Sequence, residues 1–363
     1  MLSSKRRANS FTISQATELK QGIKFAAIFC ALTLLFASVF ALTFSPVAIS
    51  LTAEADGRAE SVVELSTGRV LYSRNADQKL PMASTTKIMT ALLIIEDCDL
   101  DEVITVPDEA VGVEGSSIYL KRGEVISVKD LLYGLMLRSG NDSATALAIH
   151  HSGSTSKFVD AMNARAAEMG AESTHFTNPS GLPDESHYTT AKELSLIACE
   201  AMKNDTFKTI VSTRNYTGEY RSYLNKNKML SRVEGANGIK TGYTLKAGRC
   251  LVSSAEREGM DIICVVLNCP NMYERSEKLI ENAFAQFELA KIDKNTVFMC
   301  GIVPCNIAKD AKVLIKKGEE ITIKTYLTNS DGTIKQGDKV GKLEIYCQND
   351  LIFSGDLYSI VNR

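Results

Sequence analysis

The segment "PMASTTKIMTALLIIE", residues 81–96, decides how the rest of the chain is read. Ser84 and Lys87 stand three residues apart at the head of a run, 88–95, that is apolar around its whole circumference. Such a run predicts a helix buried on every side. Positions i and i+3 share a helix face, so the Lys87 amine can reach the Ser84 hydroxyl. A free serine is a poor nucleophile and a free lysine a poor base. Lys87 can serve only if burial and a nearby cation lower its pKa, and Lys240 is the candidate cation. Ser84 also lies at the positive end of the helix dipole, which favours developing negative charge. The competing reading is a serine cap followed by a solvated lysine.

Working outward, "ESVVELSTGRVLYSRN" (60–75) reads as two alternating strands around Ser66-Thr67-Gly68. Residues 127–153 carry two helical patterns interrupted at Ser139-Gly140-Asn141, and "SKFVDAMNARAAEMG" predicts a helix ending at Gly170. A polar loop and a helix near 192–203 lead to "GIKTGYT" (238–244). Two strands around Arg257-Glu258-Gly259 and a helix over 273–289 follow. Strands at both ends with helices between make an α+β domain. From about residue 291 the pattern changes to short alternating segments punctuated by Ser330-Asp331-Gly332, Gln336-Gly337-Asp338 and Gln348-Asn349-Asp350, which predicts a small all-β domain. The expected division is 1–55, an exporting segment; 56–290, the catalytic domain; and 291–363, the β-rich domain.

The 363 residues balance 41 Lys and Arg against 43 Asp and Glu, for a formal charge of -2. That gives no basic surface for nucleic acid, which is excluded as a partner. The N-terminus carries Lys5, Arg6, Arg7, Lys20 and Lys24, and then no charged residue from 25 to 53. This predicts an export signal with the remainder outside the cytoplasmic membrane. Ala53-Glu54-Ala55 has the small-x-small form of a cleavage site, so removal after Ala55 is expected. The alternative is that residues 25–44 stay as a membrane anchor. Of nine cysteines, Cys30 lies in this segment; Cys199 and Cys264 read as buried thiols, and Cys300 and Cys305 as the expected disulfide pair. The four histidines lack the spacing of a zinc site, so neither a metal nor another cofactor is expected.

An S-x-x-K tetrad arises about once by chance in a chain of this length, and Ser154-Thr155-Ser156-Lys157 is a second copy. Ser73-Arg74-Asn75 likewise duplicates the S-x-N of Ser139-Gly140-Asn141. Lys240-Thr241-Gly242 has no duplicate. What carries weight is order and setting: SxxK at a buried helix start, SxN at a break between helices, KTG on a strand, the set shared by penicillin-recognising serine enzymes.

With "ASTTKIMTALL", "LLYGLMLRSGNDSATALA", "THFTNPSGL" and "GIKTGYTLKAGRCLVSSA", the chain resembles the serine-type D-alanyl-D-alanine carboxypeptidases of bacterial cell walls, the low-molecular-weight penicillin-binding proteins of peptidase family S11. The resemblance is close over about 59–289, and the remainder is similar to that family's C-terminal domain. It implies the penicillin-binding, β-lactamase-like transpeptidase fold. It implies that Ser84 attacks the penultimate D-alanine carbonyl of a peptidoglycan pentapeptide ending in D-Ala-D-Ala, and that β-lactams acylate the same oxygen. Ser139 would relay a proton between Lys87 and the leaving nitrogen, and Asn141 would hold the acyl side. Lys240 and Thr241 would bind the substrate carboxylate, with Lys226 a weaker candidate, and Gly242 would let substrate lie against the strand. The N–H groups of Ser84 and Tyr243 would form the oxyanion hole.

Three rivals stay in view. A class A β-lactamase needs an E-x-x-L-N motif between SxN and KTG, and none is present. An acylated sensor without turnover and a cross-link endopeptidase share the same motifs. His175 and His187 read as structural, since no G-x-S-x-G elbow accompanies them.

Overall fold

The computed structural model describes residues 8–11, 57–328, 333–347 and 349–362. The segment 25–44, the Ala53-Glu54-Ala55 site and the Ser330-Asp331-Gly332 turn lie outside these residues. Among the described residues no helix is long and apolar enough to cross a membrane. The chain divides into two compact units, one spanning Asp56–Gln286 and one that includes Phe287–Arg363.

In the first unit, five antiparallel strands run in the order Val70–Arg74, Ala59–Glu64, Met260–Leu267, Gly248–Arg257, Ala236–Thr244. The expected hairpins are both present. Residues 258 and 259 turn the second with φ of 53° and 79°, the left-handed pair that a two-residue hairpin requires. Between the strands Val70–Arg74 and Ala236–Thr244 come helices α1 (Lys87–Asp97), α2 (Val128–Tyr133), α3 (Asn141–Ser152), α4 (Thr155–Glu168), α5 (Ala191–Met202) and α6 (Asp205–Ser212). Helix α7 (Met272–Gln286) follows the sheet. It ends three residues before the expected limit, because Phe287–Ile292 is already a strand, paired with Ala311–Lys316 in the second unit. Helix α6 has no counterpart in the sequence reading; Asn204 caps it, accepting from Thr206 N and Phe207 N.

Helix α1 is the centre of this unit. Every residue from Lys87 to Ile94 is buried, so the apolar circumference is met by α3, α4, α5 and α6 around it. The second S-x-x-K falls elsewhere: Ser154 Oγ accepts from Lys157 N at 3.3 Å and caps α4, while Lys157 is exposed. That serine is a cap and nothing more.

The second unit is built on antiparallel strands Ile321–Leu327, Lys339–Cys347, Asp350–Ser359, Val303–Ile307 and Phe298–Cys300, with Ala8–Phe11 paired along Ile321–Leu327. It has its own core of Phe298, Val313, Leu343 and Leu357 among others. The expected disulfide is corrected here. Cys300 and Cys305 are buried free thiols. Cys305 pairs with Phe298, whose carbonyl accepts from its Sγ at 3.3 Å, and Cys300 pairs with Val303, so the two thiols are diagonal neighbours, hydrogen-bonded to each other and not joined. Cys199 and Cys264 are buried thiols, as expected.

A buried ion pair ties α7 to the sheet. Glu60 is fully buried, and Arg275 donates to both its oxygens at 2.8 and 2.6 Å. Removing one partner of such a pair leaves an uncompensated buried charge. Arg275→Leu should therefore lower unfolding free energy by about 3–5 kcal/mol, read by urea denaturation. A loss below about 1 kcal/mol would show Glu60 to be relieved by protonation or water.

Candidate active site

Ser84 sits in a 3-10 turn, Ala83–Thr86, immediately before α1. Ala83 is held at φ 50°, a conformation that a non-glycine residue keeps only under constraint from its surroundings. The turn is closed by side chains: Thr85 Oγ1 donates to the Met82 carbonyl at 2.7 Å and Thr86 Oγ1 to the Ala83 carbonyl at 2.9 Å. Ser84 is half-buried and Lys87 has no exposure.

The Lys87 amine has three oxygen neighbours: Ser180 O at 2.5 Å, Asn141 Oδ1 at 2.7 Å and Ser84 Oγ at 3.2 Å. Its pKa lies well below the usual lysine value, first because burial penalises the ammonium and second because Lys240 is nearby; Asp142 acts in the opposite sense. A neutral amine has two hydrogens and one lone pair. The Ser180 carbonyl can only accept. The Asn141 amide is oriented by its other end, since Nδ2 donates to the Glu114 carbonyl at 2.6 Å, so Oδ1 also accepts. Both hydrogens are thereby used, and the lone pair is left for the Ser84 hydroxyl. This is the arrangement a general base needs.

Ser139 is buried at φ 67°, between a π-helical stretch, Gly134–Arg138, and α3. The irregular backbone there turns the chain so that Asn141 starts α3 facing Lys87. Asp142 fixes the same corner, accepting from Ile118 N, Leu120 N and Ser117 Oγ.

Lys240, Thr241, Gly242 and Tyr243 lie on the strand Ala236–Thr244, beside the Ser84 turn. A Cβ on Gly242 would lie 3.1 Å from Ser84 N and from Ala83 Cβ. Glycine is needed there because two backbones approach each other, a reason additional to the room for substrate that the sequence suggested. Lys240 is fully enclosed; burial first and Lys226 second bring its pKa down to about 7. Lys226 is exposed, and Tyr243 is an exposed ring beneath the Arg249 guanidinium. The structure thus brings Ser84, Lys87, Asn141 and the KTG strand to one place, with Ser139 two residues ahead of Asn141.

Sequence reasoning recognised the polar loop 174–190 but gave its backbone no part in the site. The loop supplies Ser180 O to Lys87 and Pro179 O to Thr90 Oγ1 at 2.6 Å. His187, also in it, is structural. Thr177 N donates to Nδ1 at 3.0 Å, so Nε2 carries the proton and donates to Thr86 Oγ1 at 2.7 Å.

A family profile described as D-alanyl-D-alanine carboxypeptidase matches residues 47–271. The chain belongs to that family. It is 33% identical over 354 residues to D-alanyl-D-alanine carboxypeptidase DacF of Bacillus subtilis, covering 86% of this chain and 89% of the relative. It is 37% identical over 244 residues to the enzyme of Streptomyces sp. strain K15, covering 60% and 84%. The crystal structure of penicillin binding protein 5 from Haemophilus influenzae superimposes with a TM-score of 0.70 at 27% identity, covering 84% of this chain and 96% of that one. The chain is accordingly a serine-type carboxypeptidase of the penicillin-binding fold, a hydrolase, as the resemblance implied.

Burial lowers the His187 pKa from 6.5 to about 4. A folded-state value below the unfolded one means that stability is complete above pH 6.5 and is lost as pH falls toward 4. The loss is of order 3 kcal/mol at 1.36 kcal/mol per unit. Thermal melts between pH 7 and 4 should show it, and His187→Gln should flatten that part of the curve. An unchanged acid slope in the variant would assign the loss to other groups.

Proposed function

We propose that this D-alanyl-D-alanine carboxypeptidase cleaves the terminal D-alanine from peptidoglycan stem peptides through a Ser84 acyl-enzyme, with Lys87 as the base. The observation that carries the reading is the enclosed Lys87 amine, 3.2 Å from Ser84 Oγ, whose other two oxygen neighbours can only accept. Lys87 takes the hydroxyl proton as Ser84 attacks the penultimate carbonyl. The oxyanion is received by the N–H groups of Ser84 and Tyr243, a role supported by the close approach of Gly242 to Ser84 N. Ser139 passes the proton from Lys87 to the leaving nitrogen, and Asn141 holds the amine and the acyl side. Lys240 and Thr241 take the substrate carboxylate. Water then hydrolyses the ester with Lys87 as base again. Penicillin, whose carboxylate and strained amide match the same groups, acylates Ser84 and departs slowly.

The catalytic domain in this proposal is 56–290, followed by a β-rich domain over 291–363. The basic residues ahead of the uncharged stretch 25–53 support export, with residues 1–55 as the exporting segment, cleaved after Ala55 or kept as the membrane anchor.

D-alanine release from a diacetyl-Lys-D-Ala-D-Ala peptide, with mass spectrometry after penicillin, tests the assignment. Ser84→Ala and Lys87→Ala should each abolish release and labelling while keeping the fold. Full activity in either would refute it. Ser154→Ala should change only stability, by about 1 kcal/mol. Labelling without release would favour a sensor, or an endopeptidase that needs a larger substrate.

The charge of Lys240 is lost as pH rises through about 7 in the free enzyme, and carboxylate capture weakens with it. The kcat/KM profile should therefore carry an alkaline limb starting near pH 7. Lys240→Arg, permanently charged, should remove that limb; its survival would assign the limb to a different group.

A further inference from the structure

The Ser180 carbonyl is held by an arrangement centred on one side chain. Asn178 Oδ1 accepts from Gly181 N at 2.7 Å, Leu182 N at 3.0 Å, Ser180 Oγ at 3.1 Å and Ser180 N at 3.2 Å. Its Nδ2 donates to the Leu182 carbonyl at 3.0 Å, so both ends of the amide are engaged in the same five-residue loop. The loop is gripped from α1 at two consecutive carbonyls, Pro179 O by Thr90 and Ser180 O by Lys87, residues one turn apart on the same face. On its other side Gly181, at φ +86°, is pressed against the nucleophile's turn, where a Cβ would lie 1.9 Å from the Ala83 carbonyl. The loop has no room to shift toward Ser84. What keeps it from shifting away is the Asn178 amide and the Thr90 hydroxyl.

We propose that Asn178 is a positioning residue of this carboxypeptidase. It fixes the Ser180 carbonyl so that one Lys87 hydrogen is occupied and the lone pair stays on Ser84. This inference rests on Lys87 being the base. If the carbonyl moves, the amine can rotate and offer a hydrogen to Ser84 Oγ in place of its lone pair, and acylation slows without any loss of substrate contact. Asn178 touches no reacting atom and acts only through Ser180.

The test is pre-steady-state penicillin acylation of the full chain, with the number of titratable sites counted separately from the rate constant. Asn178→Ala should lower the acylation rate constant about 10- to 100-fold per titratable site, with KM for the D-Ala-D-Ala peptide little changed. Asn178→Asp keeps the four-fold acceptor, so it should recover most of the rate. Its added negative charge favours the Lys87 ammonium and should move the acid limb of the pH profile upward. Thr90→Val, which releases only the Pro179 carbonyl, should give a smaller loss in the same direction. A merely structural role predicts fewer titratable sites, each reacting at the wild-type rate, with no shift in the pH profile; that result would overturn the proposal. Should Lys87→Ala itself retain acylation, the base assignment fails. Should Lys87→Ala be dead while Asn178→Ala reacts normally, only the positioning claim fails.

Discussion

The site depends on the hydrogen count of a single buried amine. Lys87 in water would be an ammonium with three hydrogens to give and nothing to accept with. Because it is enclosed among α1's neighbours and close to Lys240, its pKa falls well below the usual lysine value, and in the neutral form the placement of the lone pair is set by what accepts its two hydrogens. The protein supplies two oxygens that cannot donate, from segments 39 positions apart in the sequence, Asn141 and Ser180. Much of the unit follows from that requirement. Helix α1 must be buried on all sides to desolvate the amine, α3 must start at Asn141, and the loop 174–190 must cross α1 at Ser180.

Spacing alone does not create such a site, as the second S-x-x-K shows. Ser154 and Lys157 have the same separation on a helix start, yet Ser154 spends its oxygen on the Lys157 N–H and the lysine stays in solvent. The two copies differ in environment, and environment is a property of the fold. The same holds for the strand carrying Lys240: its ammonium matters to Lys87 only because the sheet brings Ala236–Thr244 against the Ser84 turn.

The sequence made the main features legible because each had a local cause. The apolar circumference of 88–95 required a buried helix; the breaks at Ser139-Gly140-Asn141 and Arg257-Glu258-Gly259 are where the helices and strands divide. What it hid was set by partners distant in the chain. Asn178, Thr90 and Ser180 are ordinary polar residues until the loop meets α1, and the strand at Phe287 is specified by pairing with Ala311–Lys316, which overrides the helical pattern of residues 287–289. Cys300 and Cys305 do come together as the sequence suggested, but as hydrogen-bonded thiols and not as a disulfide. The signal available for the loop was its Asn-Pro-Ser-Gly composition, which marks a turn but not what the turn is for.

Two glycines show how Ser84 is presented. Gly242 brings the KTG strand to Ser84 N from one segment, and Gly181 brings the loop to the Ala83 carbonyl from another; a Cβ at either would lie within 3.1 Å of the Ser84 turn. That turn contains Ala83 at a positive φ, a conformation costing on the order of 1–3 kcal/mol that persists only when the surroundings over-determine it. The surroundings here are the bare backbones of the two glycine segments together with the Thr85 and Thr86 hydroxyl bonds. Strain at Ala83 and bareness at Gly181 and Gly242 are therefore one feature. Backbone packed this closely fixes the place from which the Ser84 hydroxyl meets the Lys87 amine, 3.2 Å away.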